Sequence, residues 1–340
     1  MKEKIMRPLI LFVMNWKGSG LRLRIQRKVL DGSDEVVSLK HVFNFFYMDE
    51  EALKDREGIM IIAFDGMDID LIDKYGLENI PMREFGRLDN STGISRRMTC
   101  ELFTTFLTGE TYEEHGVEGL RRSEASSGSK LPDIGKVVPD KASATARNLL
   151  RKNDTIHGIY AALATSLSPK YNRDDIGCET FLQKIEASKP LFVPVWNPMF
   201  EWQCGLPDGG LKSGFTRDEV IERNRDYTEM RLEKFWSITH DFWDLVFLHM
   251  HDPDLQQDMG LEDLEDDYER LDKVAENVLE EFGDDWVILF MSDHGKIQDD
   301  HVQHNKNAFY SSNVDLFGDE TPHIKDFHDK IIEINDKIKE

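Results

Sequence analysis

Three apolar stretches of the sequence run directly into side chains that can hold a metal ion. Asp65 follows the stretch IMIIAF, and Asp293 and His294 follow WVILFM. The third stretch, DLVFLHM, leads into HDPDLQQD. Carboxylate and imidazole groups are ligands suited to zinc or manganese. Ligands bind beyond the carboxyl ends of the strands in open α/β sheets, so these distant residues are expected to converge on one site.

A hydroxyl side chain lies near the start of the segment MTCELFTTFLTGETYEEHGV. Thr99 is predicted to begin a helix that runs to about Leu107, with Gly109 past its end. The free N–H groups and the dipole of a helix N-terminus favour an anion. A threonine hydroxyl is a weak nucleophile unless a base or a metal ion activates it. The alternative is that Thr99 is only an N-cap, whose loss costs about 1 kcal/mol.

The elements that must position these residues follow from the apolar pattern. The apolar stretches are typical of strands buried on both faces of a parallel sheet. Helical signals appear in DIDLIDKYGL, in the segment that opens with a Thr216–Glu219 capping box, in a long amphipathic segment ending before Gly283, and in IKDFHDKIIEINDKIKE. Strands that alternate with helices predict an α/β fold, a three-layer α/β/α sandwich with a mostly parallel sheet.

Two parts of the chain stand apart from this pattern. Residues 1–56 are predicted to be an extension, in which the alternation of LRLRIQRKVLDGSDEVV indicates a small strand pair. Residues 57–340 are predicted to be the catalytic domain. Within it, the segment LFVPVW is expected to be a strand turning at Pro194, and about 185–240 a small inserted cap. The cap tryptophans Trp196 and Trp202 could stack on a ligand ring, although tryptophans in apolar strings are more often core.

The composition limits the partners. The chain has 42 basic and 65 acidic residues, a net charge of −23. Such a surface repels phosphate groups, which argues against a nucleic-acid duplex or an anionic membrane as partner. The apolar run near the N-terminus is too short to span a bilayer. Three scattered cysteines imply neither a disulfide framework nor a cysteine-based zinc cluster, so a cytoplasmic location is expected. The oligomeric state stays open.

Several motifs resemble those of a known family. FDGMD, TCELFTTFLTGETYEEHGV, DPDLQQD, SDHG and HNKNAFYSSN are similar to successive motifs of the alkaline phosphatase superfamily, in particular its type I phosphodiesterase/nucleotide pyrophosphatase branch. The resemblance covers roughly residues 57 to 315. It implies metal-dependent hydrolysis of a small phosphate ester or nucleotide, a phosphodiester or nucleotide pyrophosphate rather than a monoester, through a phosphothreonine on Thr99.

The resemblance also implies two divalent metal ions, zinc or alternatively manganese. The first ion would be held by Asp65, Thr99, Asp293 and His294, and the second by Asp254, Asp258 and His304. Asp258 is a departure, because the family carries histidine there. A carboxylate adds negative charge and favours a harder ion. The nearby His249, His251 and Asp252 leave the register open, with a pairing of Asp252 and Gln256 as the alternative.

A second departure concerns the substrate phosphate. The nucleotide pyrophosphatases carry an asparagine shortly after the His-Gly pair, and Leu120 falls at that spacing here. Arg121 or Arg122 is a candidate replacement, because guanidinium suits phosphate, and the alternative is that both are surface residues.

Other functions on the same fold are also considered. The altered position 258 is the reason to consider a catalytically impaired binding or regulatory protein. Cys100 is the reason to consider a sulfatase, although CELFT lacks the proline and arginine of the sulfatase motif. A phosphomonoesterase of the same superfamily is the third alternative. The number of metal ions bound per chain would separate the enzyme from the binding protein.

Overall fold

The structure, a computed structural model, divides the chain into two compact units, Met1–Met48 and Asp49–Glu340. The residues that it describes are 9–17, 20–28, 34–35, 53, 56–119, 171–197, 216–258, 264–296 and 304–340. The boundary near residue 56 that the sequence suggests stays a prediction.

The first unit contains a small antiparallel sheet. Strands β1 (Leu9–Lys17) and β2 (Gly20–Lys28) form a hairpin in which Leu9 lies opposite Lys28 and Lys17 opposite Gly20. The short strand β3 (Asp34–Glu35) pairs with the other edge of β2. Within LRLRIQRKVLDGSDEVV, the strand pair expected from the sequence corresponds to β2 and β3, whereas the hairpin of β1 and β2 is not predicted.

A six-stranded sheet forms the centre of the second unit. Its strands are β4 (Gly58–Phe64), β5 (Glu84–Arg87), β6 (Ser188–Leu191), β7 (Leu245–Met250), β8 (Trp286–Ser292) and β9 (Phe309–Ser312). The spatial order is β5-β9-β8-β4-β7-β6. Strand β4 lies between β7 and β8 and is parallel to both, whereas β9 runs antiparallel to its neighbours. The sheet is open and mostly parallel, as predicted.

Helices cover both faces of this sheet. They are α1 (Ile69–Tyr75), α2 (Thr99–Thr108), α3 (Tyr112–His115), α4 (Phe181–Lys184), α5 (Arg217–Trp236), α6 (Asp252–Asp258), α7 (Glu265–Phe282) and α8 (Asp326–Lys339). Helices α1, α5, α6 and α7 contact one another or the sheet on one side, and α2, α4 and α8 pack together on the other. In the described part of the chain, no helix combines the length and the apolar character needed to cross a bilayer.

The core has two layers because side chains alternate along each strand. Met60, Ile62 and Phe64 of β4 belong to a large apolar cluster shared with α1 and α7. On the opposite face, Phe247 of β7 meets Phe106 of α2, with ring centroids 5.8 Å apart. These two layers confirm the three-layer α/β/α sandwich.

Most predicted elements are confirmed, but the strand expected over LFVPVW is wrong in its extent. Strand β6 ends at Leu191, and Phe192 and Val195 have positive φ angles of 61° and 64°. A strand cannot continue through such a backbone. Residues 198–215 of the predicted cap lie outside the described residues, so the cap stays a prediction.

Candidate active site

Three parallel strands deliver acidic and imidazole groups to one edge of the sheet. Asp65 follows β4, His251 follows β7, and Asp293 and His294 follow β8. Because β4 is the middle strand, the buried Asp65 lies between the other two groups. Its Oδ1 is 3.2 Å from Nε2 of His294, and its Oδ2 is 2.8 Å from Nδ1 of His251.

The turn after β4 brings helix α6 into the same place. Gly66 has a φ of 74°, a conformation that L side chains rarely adopt. A Cβ at Gly66 would lie 2.8 Å from the Cα of Asp254, so the two backbones approach closely only because this residue is glycine. The N–H of Asp254 donates to the carbonyl oxygen of Asp65 at 3.2 Å. The carboxylate of Asp254 thereby joins the group at the sheet edge.

Thr99 is the first residue of α2, and its hydroxyl reaches the same cluster. Its Oγ1 donates to Oδ1 of Asp65 at 3.4 Å and lies 3.3 Å from Nε2 of His294. The N-cap position belongs to Met98, so the interpretation of Thr99 as an N-cap is wrong. The first helical N–H groups beside this hydroxyl are free of intrahelical acceptors, as at every helix start. The predicted helix itself is confirmed, and Gly109 ends it in the left-handed conformation.

A buried carboxylate fixes the loop that leads into α2. Glu101 accepts hydrogen bonds from the N–H groups of Ser95 at 2.5 Å and of Gly119 at 2.7 Å. The N–H of Arg96 also donates to it, at 3.2 Å. Since these residues flank the helix on both sides, Glu101 fixes the position from which Thr99 enters the site.

The histidine of the His-Gly pair has a structural role. The Nδ1 of His115 accepts from the N–H of Val117 at 3.1 Å, and its Nε2 lies 3.0 Å from Oγ1 of Thr105. Burial lowers the pKa of His115 to about 4, so the ring is neutral. His115 therefore ties the loop after α2 to the helix.

His304 approaches the cluster from the reversed strand. Because β9 is antiparallel, its start lies at the edge where the parallel strands end. The ring of His304 stacks on His294, with centroids 3.7 Å apart and planes at 20°. The Nε of Arg97 donates to the carbonyl oxygen of His304 at 2.7 Å, which fixes a guanidinium group beside the site.

Asp68 holds the segment that carries His304. Its carboxylate accepts from Nδ2 of Asn305 at 2.9 Å and from Nδ2 of Asn307 at 3.0 Å. It also accepts from the N–H of Asp70 and so caps α1. The motifs FDGMD and HNKNAF are thus joined through Asp68, a role that the sequence motifs do not reveal.

The electrostatics of the cluster indicate that a cation belongs there. Burial, reinforced by the charge of Asp65, raises the pKa of Asp254 to about 6, and burial also raises that of Asp293 well above its usual range. Burial opposes ionisation of Asp65 as well, but hydrogen bonds from neighbouring imidazoles, first that of His249, lower its pKa well below the usual value. Burial alone would lower the pKa of His251, yet Asp65 raises it to about 9. The neighbouring carboxylates thus favour the protonated form of His251, and a bound cation would replace that proton.

Unsatisfied buried atoms support the same conclusion. Both carboxylate oxygens of Asp293, Oδ1 of Asp254 and Nδ1 of His304 receive no hydrogen bond from the described residues. A buried polar atom without a partner is costly unless an ion or a water satisfies it. Three groups bring ligand atoms within 4.8 Å of one another: Asp65, Asp293 and His294; Asp254, His294 and His304; and Asp65, His251 and Asp254. These residues fit divalent metal ions in number, type and burial.

The structure therefore brings together most residues that the sequence singled out. They are Asp65, Thr99, Asp254, Asp293, His294 and His304. Asp258 is the last residue of α6, and the placement of its side chain lies outside the described residues. Arg121 and Arg122 also lie outside them. The sequence motifs did not assign His251 or Asp68, although a histidine directly after an apolar strand was a visible signal for the first.

The alternative pairing of Asp252 with Gln256 is wrong. The carboxylate of Asp252 accepts hydrogen bonds from Oγ1 of Thr228 on α5 and from the guanidinium of Arg270 on α7. These bonds commit Asp252 to holding the neighbouring helices, which leaves Asp254 as the site carboxylate of this segment.

Cys100 packs away from the cluster, although it follows Thr99 directly. It is 3% exposed and lies in an apolar group with Val117, Tyr171 and Val195. The sulfatase alternative, which needs this side chain as the nucleophile, therefore has no support from its position. Cys100 and Cys178 are free thiols. A cytoplasmic location stays a prediction.

The fold and the cluster define an open α/β sheet with a carboxylate–imidazole site at its carboxyl edge. No family model matches the sequence, and neither does any curated protein. Among solved structures, the chain is similar to murine ectonucleotide pyrophosphatase/phosphodiesterase 5, also solved as an inactive variant in complex with AMP, at 13% identity and a TM-score of 0.39. The match covers 70% of this chain, which spans only 57% of the murine one.

Two further structures are similar. The PH0037 protein from Pyrococcus horikoshii matches at 12% identity and a TM-score of 0.40, over 83% of this chain and 97% of that one. A mutant TAB5 alkaline phosphatase with Mg bound in the M3 site matches at 12% and 0.34, over 83% and 99%. Likenesses of this size carry no argument, and the function of this chain rests on the geometry of its own site.

Proposed function

We propose that this protein is a metal-dependent phosphoesterase that acts on a phosphodiester or nucleotide pyrophosphate through Thr99. One observation carries the proposal. The hydroxyl of Thr99 lies at the start of α2, 3.4 Å from Asp65 and 3.3 Å from His294. A nucleophile, a helix N-terminus and metal-binding groups therefore meet at one point of the sheet edge.

Two divalent ions fit the residues of the cluster. Asp65, Thr99, Asp293 and His294 would hold one, and Asp254, His304 and a further ligand, by family resemblance Asp258, would hold the other. Such ions supply charge stabilisation for phosphoryl transfer and lower the pKa of the groups that they bind. Imidazole ligands favour zinc, whereas the number of carboxylates keeps manganese as the alternative.

The residues of the chain have separate roles in the reaction. The Thr99 oxygen forms a bond to phosphorus as the bond from phosphorus to the leaving oxygen breaks, and the hydroxyl proton ends on the leaving oxygen. Asp65, which accepts a hydrogen bond from this hydroxyl, orients it. The N-terminus of α2 lies beside the Thr99 hydroxyl, where its dipole would favour the negative charge of the phosphate oxygens. Water then displaces Thr99 from phosphorus, the leaving group and Thr99 end protonated, and two inversions give net retention.

The preference for a diester over a monoester rests on the motif resemblance. A monoester carries a charge of about −1.5 to −2 at neutral pH, whereas a diester carries −1. Two divalent ions would balance the three buried carboxylates of the cluster, Asp65, Asp254 and Asp293, so the charge of the site is compatible with either ester. The guanidinium of Arg97, held beside His304, is a further group that could contact the phosphate. Arg121 and Arg122, the candidates from the sequence, lie outside the described residues.

The test compares Thr99 with a matched threonine of the same helix. Thr104 is buried, and its hydroxyl donates to the carbonyl oxygen of Cys100 at 2.7 Å. Hydrolysis of bis(p-nitrophenyl) phosphate and of p-nitrophenyl phosphate is measured with metal content per chain. We expect faster diester hydrolysis, its loss by at least about 100-fold in Thr99→Ala, partial retention in Thr99→Ser, and near-parent rates in Thr104→Ala. Mass spectrometry of the quenched diester reaction should find a p-nitrophenyl phosphoryl group on Thr99.

Three results would contradict the proposal. A folded Thr99→Ala variant that works at the parent rate would exclude the nucleophile. Faster monoester hydrolysis would favour the phosphomonoesterase. A protein that binds nucleotide without hydrolysis, with one ion or none, would favour the binding or regulatory alternative.

A further inference from the structure

We infer that His251 is a ligand of the second metal ion and supplies the imidazole that the family motif places at position 258. The inference rests on the proposed function, because it concerns the same metal site. It changes the ligand set of that site: the second ion is held from the end of strand β7 as well as from helix α6.

The position of His251 carries the first step. Its Nδ1 lies 2.8 Å from Oδ2 of Asp65 and 3.7 Å from Oδ2 of Asp254. The three residues form one of the groups whose ligand atoms all lie within 4.8 Å of one another. Imidazole nitrogen and carboxylate oxygen are ligand atoms that zinc and manganese bind.

The two oxygens of Asp65 face different partners. Oδ1 is directed to Thr99 and His294, the residues of the first ion, whereas Oδ2 is directed to His249 and His251. One carboxylate thus has an oxygen on each side of the cluster, so Asp65 faces both groups of candidate ligands.

Unpartnered atoms next to this group give an independent observation. Oδ1 of Asp254 and Nδ1 of His304 are buried, receive no hydrogen bond from the described residues, and lie 3.5 Å apart. They show that the second position lacks a group to satisfy them. An ion bound by Asp254 and His304, which share one of the three groups of ligand atoms, would satisfy both atoms.

The chemistry favours imidazole over the carboxylate of Asp258. A fourth carboxylate would add negative charge to a cluster that already contains three buried carboxylates, Asp65, Asp254 and Asp293. A neutral imidazole adds a zinc ligand without charge. Positions 254 and 258 are one turn apart on helix α6. His251 lies just before this helix, so it can approach the cluster from the end of β7.

His249 provides a matched control. Its Nε2 lies 3.1 Å from the same Oδ2 of Asp65, but its ring packs edge-on against Phe103, with centroids 4.9 Å apart. It belongs to none of the three ligand groups. His249 is therefore a positioning residue that orients Asp65, whereas His251 also faces Asp254.

The experiment counts metal ions in single variants of the full chain. Zinc per chain is measured by elemental analysis after equilibration with excess zinc and removal of free ion, and cobalt-substituted protein is compared by visible absorption. We expect two ions in the parent, one in His251→Ala, two in Asp258→Ala, and two in His249→Gln, which keeps a donor to Asp65. His251→Cys should restore the second ion and shift the cobalt spectrum, because a thiolate can replace imidazole as a ligand. If His251 only positioned Asp65, the cysteine would not bind the cobalt ion and the spectrum would not shift.

The outcomes separate the inference from the proposed function. Two ions in a folded His251→Ala variant, or one ion in Asp258→Ala, would overturn the assignment of His251 and leave the phosphoesterase proposal standing. A parent protein that binds no divalent ion would overturn both. Circular dichroism of each variant shows that a lost ion does not reflect a lost fold.

Discussion

Replacing Asp68 tests whether the segment carrying His304 is positioned from a distance. The carboxylate is 2% exposed and accepts hydrogen bonds from Asn305, Asn307 and the N–H of Asp70. Asp68→Ala leaves the Asn305 amide and the N–H of Asp70 without this acceptor, whereas Asn307 keeps its bond to Asp70. A hydrogen bond to a charged group contributes about 1.5–3 kcal/mol, and because such terms are not additive we expect a total loss of about 3 kcal/mol in unfolding free energy.

The same replacement should weaken metal binding. Asn305 adjoins His304, so loss of its hydrogen bond to Asp68 frees the ring that stacks on His294. Partners that orient a ligand typically contribute 10–100-fold to metal affinity. We therefore expect affinity for one of the two ions to fall by about that factor, and the other to change less.

A competition titration with a chromophoric chelator measures this loss, and urea unfolding measures stability. Asp70→Ala is the control, because Asp70 is exposed and bonds Asn307 but not Asn305. It should cost less than about 1 kcal/mol and leave both affinities unchanged. An Asp68→Ala protein that binds both ions like the parent would refute the reasoning.

Two further predictions concern the turn after β4 and the loop after α2. Gly66→Ala should destabilise the fold more than Gly76→Ala. Both glycines have a positive φ, which costs alanine about 1–2 kcal/mol, but of the two only Gly66 also lies against the backbone of Asp254. Thermal unfolding measures both costs, and equal values would contradict the close approach of the two backbones. Burial holds the pKa of His115 at about 4, whereas its value in the unfolded chain is about 6.5. Between these two values the unfolded chain binds a proton that the folded protein does not. The free energy of unfolding therefore keeps its full value above pH 6.5 and falls by up to about 3 kcal/mol as the pH drops to 4. The stability gap between the parent and His115→Gln in urea unfolding should therefore narrow from pH 7 to pH 4, and a constant gap would exclude this origin.

Sequence patterns predict the elements whose signals are local. The uninterrupted apolar runs of β4, β7 and β8 are enough to identify buried strands, and the residues directly after them identify the sheet edge. The helix from Thr99 is predicted because Gly109 ends it, and α7 because its apolar residues recur at helical spacing. These signals place Asp65, Asp293 and His294 without any tertiary information.

The remaining features depend on contacts that no local pattern encodes. Strands β5 and β9 have four residues each, too few to establish a period. Asp68 and Asn305 are 237 positions apart, so their hydrogen bond follows only from the folded sheet. His251 was visible at the end of β7, but the approach of Asp254 to Asp65 depends on the turn at Gly66.

The central position of β4 also determines when the site can exist during folding. Asp65 meets His249 across 184 positions of the chain, and Thr99 meets His294 across 195. Contacts of such separation close late, since the entropy of a long loop must be lost before they form. An emerging polypeptide that has not yet produced β8 lacks Asp293 and His294 and holds at most a fragment of the cluster. Retention of metal is therefore a reporter of a completed sheet, and ions that bind only the native state add to its stability by mass action.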